Sequence, residues 1–278
     1  MNSNDTMMAI TLNNQAATLI EAGDYLSAIA NLAESLMFVK KTVAPVPMNG
    51  KDESATHISL DQILNQNQSL GDTRTESDQQ YNHPLIVRHS LHIPTSLMSA
   101  ITTSRDHVIV SVVVLFNLSL AYNLRAFEVQ DSSPREVMLR KAAKLYELSF
   151  NLYRDLSCAE TSMMFTLVIY NNLGHLHRHM GDTEMANKYF QSLLSMLMYI
   201  VDGPQRRDAA QDLEQFFGSV SLCILQDTFF AASDMKNTAK YIREECNHVT
   251  AKAASFGNIY SPFLYHPCAD ASDPSCCR

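Results

Sequence analysis

The sequence predicts an all-α protein built as a stack of about four antiparallel helix hairpins, and three observations carry that prediction. One unit is written twice, at Leu12-Asn13-Asn14…Ala16…Gly23-Asp24-Tyr25…Ala28…Leu32 and at Tyr170-Asn171-Asn172…Gly174…Gly181-Asp182…Ala186…Phe190. Each copy sets a large anchor eleven residues before a Gly-Asp, a small residue seven before it, then Ala and a large residue five and nine after it. Several further segments place apolar residues at spacings of three and four. Composition agrees: eight Gly, nine Pro and no Trp among 278 residues do not suit a sheet-rich chain, and 46% hydrophobic residues suffice for a sizeable core.

The elements follow in order. A first hairpin spans about Met7 to Lys41, with Gly23 supplying the conformation that ends one helix and Asp24 capping the next. The small Ala16 and Gly174, with Ala28 and Ala186, let two helix backbones approach closely. Thr42-Val43-Ala44-Pro45-Val46-Pro47 breaks the pattern. The stretch that follows is rich in Asn, Gln, Asp and Ser, so residues 42–80 are expected to be a disordered insertion, with a short helical turn conceivable at Ile58 to Leu64. Apolar density returns between Tyr81 and Pro94, through Leu85, Ile86, Val87, Leu91 and Ile93; the segment could lie extended against the helices or pair as a small hairpin.

A third helix is predicted from near Ser104 to about Phe127, apolar on almost every side and therefore central. Its partner is announced by Ser133-Pro134-Arg135-Glu136, a capping Ser, Pro at the first helical position and Glu three residues after the cap. This second unit repeats the pattern in degenerate form at Leu115, Asn117, Leu118, Ser119 and Tyr122, then Ala142, Tyr146 and Ser149. The fifth helix should run from about Glu160 to Met180 and the sixth from Thr183 to Val201, stopped by Asp202-Gly203-Pro204. A fourth, divergent or capping pair is drawn from about Asp208 to Ala254. The helical domain thus covers residues 1–256, and an irregular, cysteine-containing tail covers 257–278.

The repeated pattern resembles the tetratricopeptide repeat, which implies a right-handed α-solenoid that binds other proteins, without catalysis, as a scaffold or adaptor. The concave groove of that family is lined by the first helix of each hairpin. Carried over, the lining is Ile10, Asn13, Ala17 and Ile20 in the first unit, Val113, Phe116, Leu120 and Asn123 in the second, and Val168, Asn171, His175, Arg178 and His179 in the third. Of these, Asn13, Phe116, Leu120, Asn123, Asn171, His175, Arg178 and His179 are the candidate partner-binding residues. Asn14, Asn117 and Asn172 recur two residues after each anchor, where the family uses Asn to hydrogen bond within the repeat or to a peptide backbone. The alternative is a structural subunit of an obligate complex, its groove permanently filled by its own inserted segment or by an obligate partner. The chaperone-tail clamp of one subclass is not reproduced: its five positions read Asn13, Ala17, Asn117, Val168 and Asn172, without the cations that would neutralise a carboxylate.

Charge excludes other roles. A net charge of −8 and a pI near 5.6 argue against nucleic acid as a partner. No secretory signal is read at Met1-Asn2-Ser3-Asn4-Asp5, and the apolar run Val108 to Phe116 is too short to cross a bilayer, so a cytoplasmic protein is expected, with the nucleus also open to it. In that setting Cys158, Cys223 and Cys246 read as reduced, small hydrophobes. His175 and His179 share a helix face at a metal-binding separation, but no zinc-protease Glu follows His175 and no third ligand is evident; a solvated polar face is the plainer reading, and neither metal nor cofactor is expected. Cys268 and Ser275-Cys276-Cys277-Arg278 do not form a prenylation box, although adjacent terminal cysteines can be acylated. No nucleophile elbow, phosphate loop or dinucleotide fingerprint is present, so no enzyme is expected.

Overall fold

The computed structural model describes residues 3–42, 58–68, 86–156 and 162–202, with isolated positions at 216, 219 and 220. Among them the chain is all-helical, with seven α-helices: α1 (Ser3–Glu21), α2 (Tyr25–Thr42), α3 (Leu60–Gln68), α4 (Ser104–Glu128), α5 (Ser132–Leu156), α6 (Met163–His179) and α7 (Thr183–Asp202). A short 3-10 turn, Thr95–Ala100, precedes α4. These elements belong to one unit, Met1–Phe217. The fourth hairpin expected between 208 and 254, the tail 257–278 and all six cysteines lie outside the described residues, apart from positions 216, 219 and 220.

Helices pair as the sequence pattern requires: α1 packs on α2, α4 on α5 and α6 on α7, while α2 and α1 contact α4 and α5 contacts α6. The two Gly-Asp turns are built alike. The Asp24 amide donates to the Leu19 carbonyl (2.9 Å) and the Gly23 amide to Ile20 (3.1 Å). At the other turn Asp182 donates to His177 (2.9 Å) and Gly181 to Arg178 (3.0 Å). This is the paired arrangement of a Schellman helix end, which needs a left-handed residue; Gly23 and Gly181 have φ of 82° and 78°. The following aspartates cap the second helices, Asp24 Oδ1 accepting from the Ser27 amide (3.2 Å) and Asp182 Oδ1 from Met185 (3.1 Å).

A second recurrence lies between the helices. Ser35 Oγ donates to the Ala9 carbonyl (2.7 Å) across α1 and α2, and Ser149 Oγ to the Val112 carbonyl (2.9 Å) across α4 and α5. Both serines stand seven residues after the repeat alanine, and both carbonyls three before the anchor. The degenerate second unit therefore keeps the internal geometry of the first. In α6 and α7 the same places hold Leu167 and Leu193, both fully buried.

α4 is the centre. It is long and apolar enough by composition to cross a membrane, but its most apolar window is 89% buried within the protein, as in a core helix. Thr103 and Asp106 close its start in a reciprocal capping box. α5 begins at Ser132 rather than after Ser133; the Arg135 amide donates to the Asp131 carbonyl, and Pro134 falls in the first turn, where a missing N–H costs nothing.

The expected disorder of 42–80 does not extend to residues 58–68. Ser59 and Gln62 form a capping box, each side chain meeting the other's amide (3.2 and 3.1 Å). Ile58, Leu60 and Ile63 are buried, and the Ile58 amide donates to Asp106 Oδ1 (3.1 Å). α3 packs on α6. Average polarity concealed a short amphipathic helix, whose apolar face suffices because tertiary contacts supply its burial.

Candidate functional site

The segment Ile86–Pro94 lies across the first helices of all three hairpins, without regular secondary structure of its own. Its main chain is held by asparagine side chains. Asn172 accepts from the Val87 amide (3.0 Å) and donates to the Val87 carbonyl (3.1 Å). Asn117 does the same with Leu91 (2.8 Å both ways), and Asn14 with Ile93 (2.8 Å both ways). From the other side Asn67 of α3 pairs with both groups of His92 (2.9 Å each).

The parity explains the geometry. In an extended chain alternate residues direct their N–H and C=O to the same side. Residues 87, 91 and 93 address α6, α4 and α1, while residue 92 addresses α3. A primary amide suits the task because it carries one acceptor and two donors on a short stem, matching the N–H and C=O of a single residue. A carboxylate could not donate, and a hydroxyl could not span both atoms.

A second tier holds the clamps in place. Asn13 donates to the Leu91 carbonyl (3.0 Å), and Asn117 donates to Asn13 Oδ1 (2.9 Å). Asn172 also donates to the Tyr146 hydroxyl (3.1 Å), a fully buried phenol whose pKa burial drives upward. Asn171 Nδ2 donates to Asn172 Oδ1 (3.3 Å). Ser90 Oγ lies 3.2 Å from the Ala17 carbonyl and 3.0 Å from Glu21 Oε1, and His92 Nε2 is 2.9 Å from the same carboxylate oxygen. Ile86, Val87, Leu91 and Ile93 are all buried.

The candidate residues divide. Asn13 belongs to the site through Leu91, and Asn171 through its bond to Asn172. Phe116 does not face a groove: it is 1% exposed and packs edge-on against Tyr146 and at a tilt against Phe165, with centroids 5.7 and 5.6 Å away, in the junction of α4, α5 and α6. Leu120 and Asn123 are fully buried as well. The reason is that α4 is enclosed by neighbours that a central helix must have and a terminal one lacks. His175 is buried edge-on against Phe190 (5.1 Å), and the half-buried His179 against Phe127 (4.8 Å); Arg178 is half-buried. Among the described residues no three His, Cys, Asp or Glu side chains come together as a metal-binding set.

The sequence reading missed Asn67 and Ser90. Asn67 had a signal, since Ser59-Leu60-Asp61-Gln62 is a capping box that predicts the helix carrying it. Ser90 had none. No family model, curated protein or solved structure matches this chain.

Proposed function

We propose that this chain is a non-enzymatic protein-interaction module, a tetratricopeptide-like right-handed stack whose concave groove holds an extended main chain, and that its own residues 86–94 are the resident occupant. The observation that carries the reading is the asparagine ladder, in which Asn14, Asn117 and Asn172, at the same position of three hairpins, each pair with both main-chain polar groups of one residue. Such a surface recognises backbone first and side chains second, which is what a groove for extended peptides requires. The likeness of the two Gly-Asp turns and of the Ser35 and Ser149 bonds supports the repeat reading behind it.

The test removes the resident segment's own donors. In a Val87→Pro, Leu91→Pro, Ile93→Pro variant, the segment has no N–H for the clamps, and a labelled peptide copying residues 84–96 should bind saturably, followed by fluorescence anisotropy. The wild-type chain should bind it weakly, and adding Asn117→Ala to the variant should abolish binding. A folded variant that ignores the peptide would sink the proposal.

A second reading, that of a structural subunit with a permanently filled groove, is favoured by the exposed Leu26, Met37, Val137, Leu148 and Tyr199 on the second helices. It expects a partner that co-purifies at fixed ratio and makes no use of the groove.

A further inference from the structure

We infer that Ser90 is a phosphorylation site that releases the resident segment from the groove; the inference rests on the proposed reading of Ile86–Pro94 as a displaceable occupant. Ser90 is 3% exposed, and its hydroxyl faces two acceptors, the Ala17 carbonyl and the Glu21 carboxylate. The docked state thus directs the one proton that Ser90 Oγ carries toward two acceptors. Phosphoryl transfer removes it. Oγ bonds to the terminal phosphorus of a nucleoside triphosphate, the bond from that phosphorus to the bridging oxygen breaks, the nucleoside diphosphate leaves, and the hydroxyl proton passes to the base of the kinase.

The product cannot take the old place. Its ester oxygen has no hydrogen to donate, and its dianionic group would sit beside the Glu21 carboxylate and the Ala17 carbonyl oxygen. His92 Nε2 is already 2.9 Å from Glu21 Oε1. The modified chain is thus stable only with the segment out. Because the docked serine is buried, the kinase acts on the open state and traps it, as a ligand selects a minor conformation. Arg88, two residues before Ser90, and the exposed His89 give the released segment a basic flank suited to a kinase with acidic subsites.

The experiment uses the full chain with phosphoserine incorporated at position 90, read by residue-resolved hydrogen exchange. The Leu91 and Ile93 amides, which donate to Asn117 and Asn14, should exchange on the order of a hundredfold faster than in the unmodified chain, while amides within α4 and α6 keep their protection. Ser90→Ala, which loses the hydroxyl without adding charge, should change them by about tenfold or less. Glu21→Gln in the phosphorylated chain should restore part of the protection. Unaltered exchange at 91 and 93, or loss of protection throughout α4 and α6, would overturn the inference. Fast exchange at these two amides in the unmodified chain would instead remove the occupied-groove reading beneath it. Finally, a basophilic kinase with magnesium and ATP should modify Ser90 faster in Asn117→Ala than in wild type; no modification of either chain overturns the assignment.

Discussion

The first and third hairpins solve the same packing problem with different residues. Both end their first helix on a left-handed glycine followed by a capping aspartate, with matching hydrogen bonds. Where the helices approach, the first hairpin has Ala16 and Leu32, both fully buried, whereas the third has Gly174 and Phe190. A Cβ added to Gly174 would lie 2.7 Å from Phe190 Cζ. A methyl removed from one helix makes room for the larger ring on the other. What the repeat conserves is therefore the volume of the pair and not either residue, as close packing demands.

The largest expected effect breaks that balance. Gly174→Leu should destabilise the protein by about 3 kcal/mol or more, because the ring of Phe190 is already in contact. Gly174→Ala should cost less, and Gly174→Ala with Phe190→Leu, which installs the first hairpin's pair, should recover much of the loss. Urea unfolding measures all three. An unchanged midpoint for Gly174→Leu would take Gly174 out of the helix contact.

Next comes the comparison of clamps. Asn117 is fully buried and bonds to Leu91 and Asn13, whereas Asn14 is half-buried. Asn117→Ala should cost about 2–3 kcal/mol, since it strands a buried amide, and Asn14→Ala about 1 kcal/mol, since water can replace part of its role. Equal losses would mean that burial does not set the strength of the ladder.

The smallest effect concerns the two turns. Asp24 is held below its ordinary pKa of 3.8 chiefly by the Ser27 hydroxyl and then the Ser27 amide, and Asp182 below its own chiefly by the Met185 amide, with His177 and Lys188 assisting. A carboxyl whose folded pKa is depressed stabilises the fold above its unfolded value, and the contribution disappears as pH falls through the folded value. Melting temperatures should therefore fall as pH drops below about 4, and Asp24→Asn with Asp182→Asn should flatten that fall. A double variant with an undiminished acid slope would assign the loss to other groups.

The legibility of this chain was uneven for physical reasons. The Gly23-Asp24 and Gly181-Asp182 turns, the span of α4 and the hairpin pairing were readable because backbone conformation and helix periodicity are local properties. Asn14, Asn117 and Asn172 were visible as a recurrence, but their ligand was not. Phe116, Leu120 and Asn123 read as groove lining and lie buried in the structure, because a helix apolar all round does not say which neighbour covers which side. The polar composition around α3 obscured a helix whose apolar face finds its partner far along the chain.

By itself, then, the sequence determined the six long helices, the turns between them, and the places where small residues and asparagines had to stand. Only the tertiary structure decided that Ile86–Pro94 would lie across three helices and meet those asparagines. Local turns follow from the conformational preferences of a few neighbouring residues. Pairing Val87 with Asn172, or Leu91 with Asn117, is a contact across 85 or 26 positions, formed when the stacked hairpins bring amides into the register of an extended backbone.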